Sequence, residues 1–226
     1  SKVNIINTIT KYLIKNKGKQ FRSILCLLSA NLTGEKVNKL SFLSASTVEV
    51  LHVATLLHDD VVDDSNIRRG WPTVNKIWKN KLSILIGDYM FSKSLSNMID
   101  IDDFAAMRIF SNTATRLSQG EILQIEKVKK KNMTEDLYYK MISDKTASLF
   151  SASCELGCIT VEKNDKFQNA LSNFGEKLGL VFQIRDDLLD IIGSESKLGK
   201  PTVFDLKKNM QTLPMIYILS KLNKLD

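Results

Sequence analysis

Six aspartates carry the chemistry this sequence has to offer. Asp59, Asp60 and Asp63, with Asp64 beside them, put four carboxylates into six positions, and Asp186, Asp187 and Asp190 repeat the Asp-Asp-x-x-Asp spacing. On a helix, Asp59 and Asp63 leave the same face, as do Asp186 and Asp190. Carboxylates at that spacing repel one another unless a cation lies between them. The chain carries a formal charge of +7, so it has no solubility reason to crowd acids together. The expected cation is hard and oxygen-loving, Mg²⁺ in particular, because no Cys joins either cluster and the one adjacent His stands alone. Mg²⁺ takes one or two protein carboxylates and fills its other positions with water and phosphate oxygens. A solvated acidic helix end is the competing reading of one such cluster by itself. Two of them, each followed by a basic loop (Arg68-Arg69-Gly70 and Lys197 to Pro201), call for an anion bridged through metal, and a diphosphate fits.

The elements that must hold these acids read as helices. Three prolines and ten glycines leave long stretches without a helix breaker. Apolar periodicity predicts helices over 5–15, 21–31, 39–64, 82–98, 103–126, 134–159 (kinked near Lys145-Thr146) and 165–192, with a last one from about 209. Residues 69–72 and 193–204 read as loops, and no strand alternation is convincing. The class is all-α, a bundle of long, mostly antiparallel helices in a single domain over 1–226. Each acid cluster falls at the C-terminal end of a long helix, where the macrodipole is already negative, so each is locally destabilising until a cation binds. Facing each other across a bundle, the two would hold several divalent ions.

Composition excludes other classes. The positive balance is scattered lysine without aromatic-basic alternation, which argues against nucleic acid. No apolar run of about 18 residues and no signal peptide are visible, so no transmembrane segment is expected. Three cysteines, an odd number in apolar helical patterns, read as buried thiols of a reducing compartment, and the expected location is the cytoplasm.

At this point the sequence resembles the trans-isoprenyl diphosphate synthases, specifically the polyprenyl diphosphate synthases. The resemblance rests on Gly18-Lys19-x-x-Arg22, the block Leu56–Asn75, Gly87-Asp88-Tyr89, Gln119-Gly120-Glu121, Lys145-Thr146, Phe182-Gln183 with Asp186–Asp190, and Gly199-Lys200-Pro201 through Pro214, in that order. It implies an isoprenoid-synthase helical bundle around a central apolar cavity, and Mg²⁺ ions, about three per site, held by Asp59, Asp60, Asp63, Asp186, Asp187 and Asp190. It implies further that Arg68, Lys145 and Lys200 contact the allylic diphosphate. Lys19, Arg22, His52 and Arg69 would form the pocket for isopentenyl diphosphate. Thr146 and Gln183 would set dipoles beside a developing carbocation, and Gln124 would line the same site. A homodimer is implied, and a lipid product that favours loose membrane association. Ser23 departs from the family's usual proline, and Trp71 from a smaller or charged residue. Family chains are longer, which implies truncation at the C-terminus and at the N-terminus as well.

Product length follows from the residues upstream of Asp59. Ala54 and Thr55, where short-chain members place an aromatic plug, are small, and Leu51 follows one turn deeper. Each turn deepens a tunnel by about 5.4 Å, comparable to one isoprene unit. Phe110 and Phe42 are candidate floors. The expected product is long, about C35–C50 with octaprenyl as the best single value, suited to quinone side chains. Terpene cyclases share the fold but carry a different second metal motif and lack a pocket such as Lys19/Arg22. A non-catalytic subunit would lose aspartates, and all six are here. A metal scaffold without catalysis gives no reason for Lys145, Gln183 and Lys200.

Overall fold

The computed structural model describes residues 2–32, 36–130, 132–162, 164–192 and 211–222. They form α1 (Asn4–Lys15), α2 (Phe21–Leu32), α3 (Lys39–Val62), α4 (Val74–Ile101), α5 (Phe104–Lys130), α6 (Glu135–Ile142), a π-helix (Ser143–Ala147), α7 (Ser148–Ile159), α8 (Asp165–Ile192) and α9 (Leu213–Leu222). The all-α expectation holds. The chain divides into two compact units, Ser1–Met107 with Leu156–Lys163, and Arg108–Glu155 with Asn164–Asp226. The first acid cluster belongs to the first unit and the second cluster to the second.

In the first unit α3 is the central element, packed on α4 and α2. Asn38 starts it with a reciprocal capping box: its side chain accepts from the Leu40 and Ser41 amides while its own N–H donates to Ser41 Oγ. Ile9, Ala54, Leu57, Val74, Ile86 and Met90 form the apolar core beside it. Burying such aliphatic side chains contributes about 1.5–3 kcal/mol each. The sequence reading expected no membrane-length apolar run, yet an 18-residue window of α3 has a mean hydropathy of 1.5. That apolarity belongs to a core helix: α3 is covered by helices on two sides, and its buried Ser44 and Thr47 face protein.

Further differences lie between α3 and α4 and in the first turns of α4. The expected loop is a minimal hairpin in which β1 (Ile67–Arg68) pairs antiparallel with β2 (Trp71–Pro72). Its two turn residues, Arg69 and Gly70, have φ of 53° and 79°, the left-handed pair that a type I′ turn requires. Thr73 holds the N-cap position of α4, but its hydroxyl donates to the Ser65 carbonyl at 2.8 Å and caps no helix amide. α4 starts eight residues before the predicted 82 and is kinked at Lys79, whose φ of 71° and ψ of 160° suit only glycine well.

The second unit is built around α6 and α8. Thr134 caps α6 by accepting from the Leu137 amide, with Glu135 and Asp136 complementing the positive end of the helix. Tyr138, Met141 and Ile142 pack against Leu123, Leu180, Ile184, Leu213 and Ile216. The kink expected near Lys145 is the π-helix, closed by the Ser148 N–H donating to the Ser143 carbonyl. Arg116 holds it there: Nε donates to Asp144 Oδ1 at 2.8 Å, Nη2 to Glu176 Oε1 at 2.7 Å and to the Ser143 carbonyl at 3.2 Å. Burial disfavours the Arg116 charge, but Glu176 and Asp144 outweigh it and hold its pKa above the ordinary value.

Candidate active site

The first unit sorts its acids by burial. Asp60 is only 4% exposed, and its Oδ1 accepts from Arg68 Nε at 2.9 Å and Nη2 at 2.8 Å. Asn75 Nδ2 ties the Asp60 and Ser65 carbonyls together, at 3.2 and 3.0 Å. The end of α3 is thereby locked to the hairpin, and Asp60, expected as a metal ligand, is engaged as the partner of Arg68. Asp59 and Asp63 remain partly exposed on one face, with Asp63 closing the helix through its N–H to the Asp59 carbonyl.

Beside them His52 lies among the charges of Arg22, Arg68 and Arg69. Arg22 Nη1 lies 3.2 Å from His52 Nε2. Arginine can only donate, so Nε2 is the acceptor and the imidazole is neutral with its proton on Nδ1. Burial, then the charges of Arg22, Arg69 and Arg68, push the His52 pKa well below its usual 6.5. Gly18 makes room for one of these cations: a Cβ there would lie 2.3–2.6 Å from the Arg69 guanidinium. Gly18, His52, Arg68 and Arg69 line a cavity of ≈ 470 Å³ together with the apolar Leu13, Val50, Val53 and Leu56. That is ample for a small phosphorylated ligand with a hydrocarbon part. Lys19 is exposed next to Gly18. Ser23, where the resemblance puts proline, donates to Glu49 Oε2 at 2.9 Å.

The second unit repeats the sorting. Asp187 is 5% exposed and accepts on both oxygens, from Tyr138 Oη at 2.6 Å and Gln183 Nε2 at 2.7 Å. Gln183 Oε1 accepts from Thr146 Oγ1 at 2.8 Å. Burial raises the Asp187 pKa; the two donated bonds work against the rise, and the charges of Asp186 and Asp190 add to it. Asp186 is exposed and Asp190 partly so. Lys145 is ion-paired to Glu121 and donates to Gln124 Oε1 at 3.0 Å. A Cβ on Gly120 would lie 2.4 Å from the Lys145 backbone nitrogen, so glycine is what lets α5 approach the π-helix. Gln124, Lys145, Thr146, Gln183 and Asp187 share a cavity of ≈ 140 Å³. Lys200 lies outside the described residues.

Among the described residues no three acids, histidines or cysteines converge into a ready metal cage. The donor set nevertheless fits Mg²⁺, which needs only one or two carboxylates. The fit is also electrostatic, since the mutual repulsion that helps raise the Asp187 pKa is what a cation would relieve.

The chain-length positions separate in the same way. Ala54 and Leu51 are 1% and 2% exposed, and Ala54 belongs to the apolar core rather than to an open wall. Thr55 is partly exposed and donates to the His52 carbonyl. Phe110 is buried, whereas Phe42 is 60% exposed and closes no tunnel. Sequence reasoning missed Tyr138 and the Arg116 network, and it gave Glu121 no role beyond its motif. The spacing Glu121–Gln124, one helical turn on the α5 face under Gly120, was the available signal for the Lys145 partners; nothing local marked Tyr138 or Arg116.

Known proteins with the same pattern place the chain. Residues 3–225 match the family described as Polyprenyl synthetase. An all-trans-nonaprenyl-diphosphate synthase (geranyl-diphosphate specific) of Rhodobacter capsulatus is 37% identical over 216 residues, 96% of this chain and 66% of the relative. A heptaprenyl diphosphate synthase component 2 of Bacillus subtilis is 40% identical over 210 residues, 92% of this chain and 60% of the relative. The chain thus spans less than two thirds of the length of these two relatives. A crystal structure of a Caulobacter crescentus polyprenyl synthase, complexed with calcium and isoprenyl diphosphate, superposes with a TM-score of 0.92 at 34% identity, covering 98% of this chain and 67% of that one. The two Asp-Asp-x-x-Asp helices, their basic and dipolar neighbours and this likeness along the whole sequence lead to one assignment: the chain belongs to the polyprenyl synthetase family, with its all-α isoprenoid-synthase fold.

Proposed function

We propose that the chain is a magnesium-dependent prenyltransferase. It condenses isopentenyl diphosphate head-to-tail with an allylic diphosphate such as farnesyl diphosphate. The product is an all-trans polyprenyl diphosphate of about eight isoprene units, destined for quinone side chains. The observation that carries this reading is the division of labour within each acid motif. Asp60 holds Arg68, Asp187 holds Gln183, and the outer pairs Asp59/Asp63 and Asp186/Asp190 are left more exposed, where a cation can be shared with a ligand.

Arg22, Arg69 and Lys19, with neutral His52, hold the diphosphate of isopentenyl diphosphate. Arg68, Lys145 and Lys200 hold that of the allylic substrate. When bound, Mg²⁺ at the outer aspartates supplies positive charge that favours the departing diphosphate over the intact ester. Breaking the allylic C–O bond leaves its electron pair on the diphosphate oxygen and a delocalised cation on carbon. Lys145 must exchange Glu121 for the developing phosphate charge, an interaction strongest in the transition state. The isopentenyl double bond attacks the cation, and loss of a proton from C2 to the released diphosphate restores a double bond. Thr146, its proton given to Gln183 Oε1, turns lone pairs toward the cationic stage.

Thr55, partly exposed and small one turn before Asp59, supports a long product, and the heptaprenyl and nonaprenyl names of the relatives bracket eight units. Ile84, Leu95 and Ile99, an exposed apolar stripe along α4, suit the face of a homodimer. Buried thiols at Cys26, Cys154 and Cys158 suit the cytoplasm. Incubation with Mg²⁺, farnesyl diphosphate and labelled isopentenyl diphosphate tests the reading. Label should enter polyprenyl diphosphates near C40, and Thr55→Phe should shorten them. Label that stays in isopentenyl diphosphate, with chelator making no difference, sinks it.

A further inference from the structure

We propose that Tyr138 is a positioning residue: through Asp187 it fixes which way the Gln183 amide faces, and so makes Thr146 offer an oxygen lone pair rather than a proton to the site. The inference rests on the prenyl-transfer reading only for its kinetic consequence.

With Asp187 ionised, the chain of bonds has one sense. Tyr138, 0% exposed, reaches Asp187 Oδ2 at 2.6 Å, and the Gln183 amide reaches Asp187 Oδ1 at 2.7 Å. An ionised carboxylate only accepts, so Gln183 must turn its nitrogen toward Asp187. Its oxygen then faces Thr146 Oγ1 at 2.8 Å, and Thr146 must donate its single proton there. What remains on the threonine hydroxyl is lone-pair capacity, in the small cavity it shares with Lys145 and Gln124. Every dipole in the series has its negative end turned away from Asp187, so the negative potential of that buried acid is relayed outward. A flipped Gln183 would reverse the series and aim the Thr146 proton at the reacting cation. Tyr138 keeps Asp187 from rotating to another donor, because it satisfies the oxygen that Gln183 does not.

Tyr138→Phe deletes only the hydroxyl. We expect kcat to fall about tenfold, with KM for both diphosphates within about twofold. Thr146→Val alone lowers kcat, Thr146→Ser restores it, and Tyr138→Phe adds less than about a further twofold in the Thr146→Val background. Hydrogen bonds join Tyr138 to Thr146 through Asp187 and Gln183, so independent, additive losses overturn the relay. A second readout needs no turnover. With glutamine side chains labelled with nitrogen-15 and Gln183 assigned through Gln183→Leu, its amide protons should be slow to exchange, and Tyr138→Phe should move them. Asp187→Asn, which can accept or donate, should broaden or double the same signal if Tyr138→Phe does not fold. Signals unmoved in a folded variant overturn the inference whether or not the wild type transfers prenyl groups, so the two readings fail separately.

Discussion

Alanine at Gly120 asks whether Lys145 stands where it does because α5 comes so close to the π-helix. The added Cβ would lie 2.4 Å from the Lys145 nitrogen and 2.8 Å from its Cα. These are backbone atoms and cannot swing aside as a side-chain tip can. Carbon contacts settle near 3.5 Å, so helix and π-turn must part by about 1 Å. Arg116 grips the turn through Asp144, Ser143 and Glu176, and part of the strain therefore falls on the Lys145 pairing with Glu121 and Gln124. Forcing an extra methyl into such a contact costs about 1–3 kcal/mol. A catalytic group misplaced by about 1 Å loses about 10²-fold in rate. Urea unfolding followed by circular dichroism, with steady-state turnover of both diphosphates, measures both effects. We expect a stability loss in that range, a kcat down about 100-fold, and an unchanged KM for isopentenyl diphosphate, whose proposed contacts Lys19, Arg22, His52 and Arg69 belong to the first unit. Full turnover at undiminished stability would refute the close-approach argument.

Gly18→Ala is the contrasting case, because the three atoms nearest its Cβ belong to the guanidinium tip of the Arg69 side chain and not to backbone. Stability should stay within about 0.5 kcal/mol while KM for isopentenyl diphosphate rises at least about tenfold; an unchanged KM removes Arg69 from the pocket. Lys79→Gly should stabilise: relieving a φ of 71° with ψ of 160° is worth about 1–3 kcal/mol, less about 0.5–1 kcal/mol for the freer unfolded chain, and the thermal midpoint should rise a few degrees. A lowered midpoint would show that the kink needs the lysine side chain. His52 gives a pH test. Its folded pKa lies below the unfolded 6.5, so the unfolded chain takes up a proton that the native pocket refuses. Stability from this group is complete above pH 6.5 and is lost as pH falls below it, toward the depressed folded value. Unfolding curves between pH 7 and 5 should therefore flatten in His52→Gln, and parallel profiles for the two proteins would contradict a neutral native histidine.

What the sequence made legible follows the range of the interactions involved. Apolar periodicity placed α3 at 39–64 against the observed Lys39–Val62, because helical spacing is a local signal. The i,i+4 acids were equally plain. Spacing, however, makes the three acids of each motif look alike, and only burial tells Asp60 and Asp187 from their neighbours. The burial of Asp187 depends on Tyr138, 49 positions away, and the π-turn at Lys145 on Arg116 and Glu176, themselves 60 positions apart. The hairpin escaped notice because two-residue strands carry no alternation. Its turn also puts Arg69 at positive φ, where asparagine or glycine would have announced it. Thr73 holds the N-cap position of α4, yet its hydroxyl goes to the Ser65 carbonyl, which residue type alone does not reveal.

The central claim is that both acid motifs are required for the proposed prenyl transfer. Asp59→Ala and Asp186→Ala, each assayed for incorporation of labelled isopentenyl diphosphate alongside far-ultraviolet circular dichroism, test it most directly. Each substitution alone should cut turnover by several orders of magnitude and leave the helical spectrum intact, with excess Mg²⁺ restoring little. Near-normal turnover in either folded variant would contradict the account.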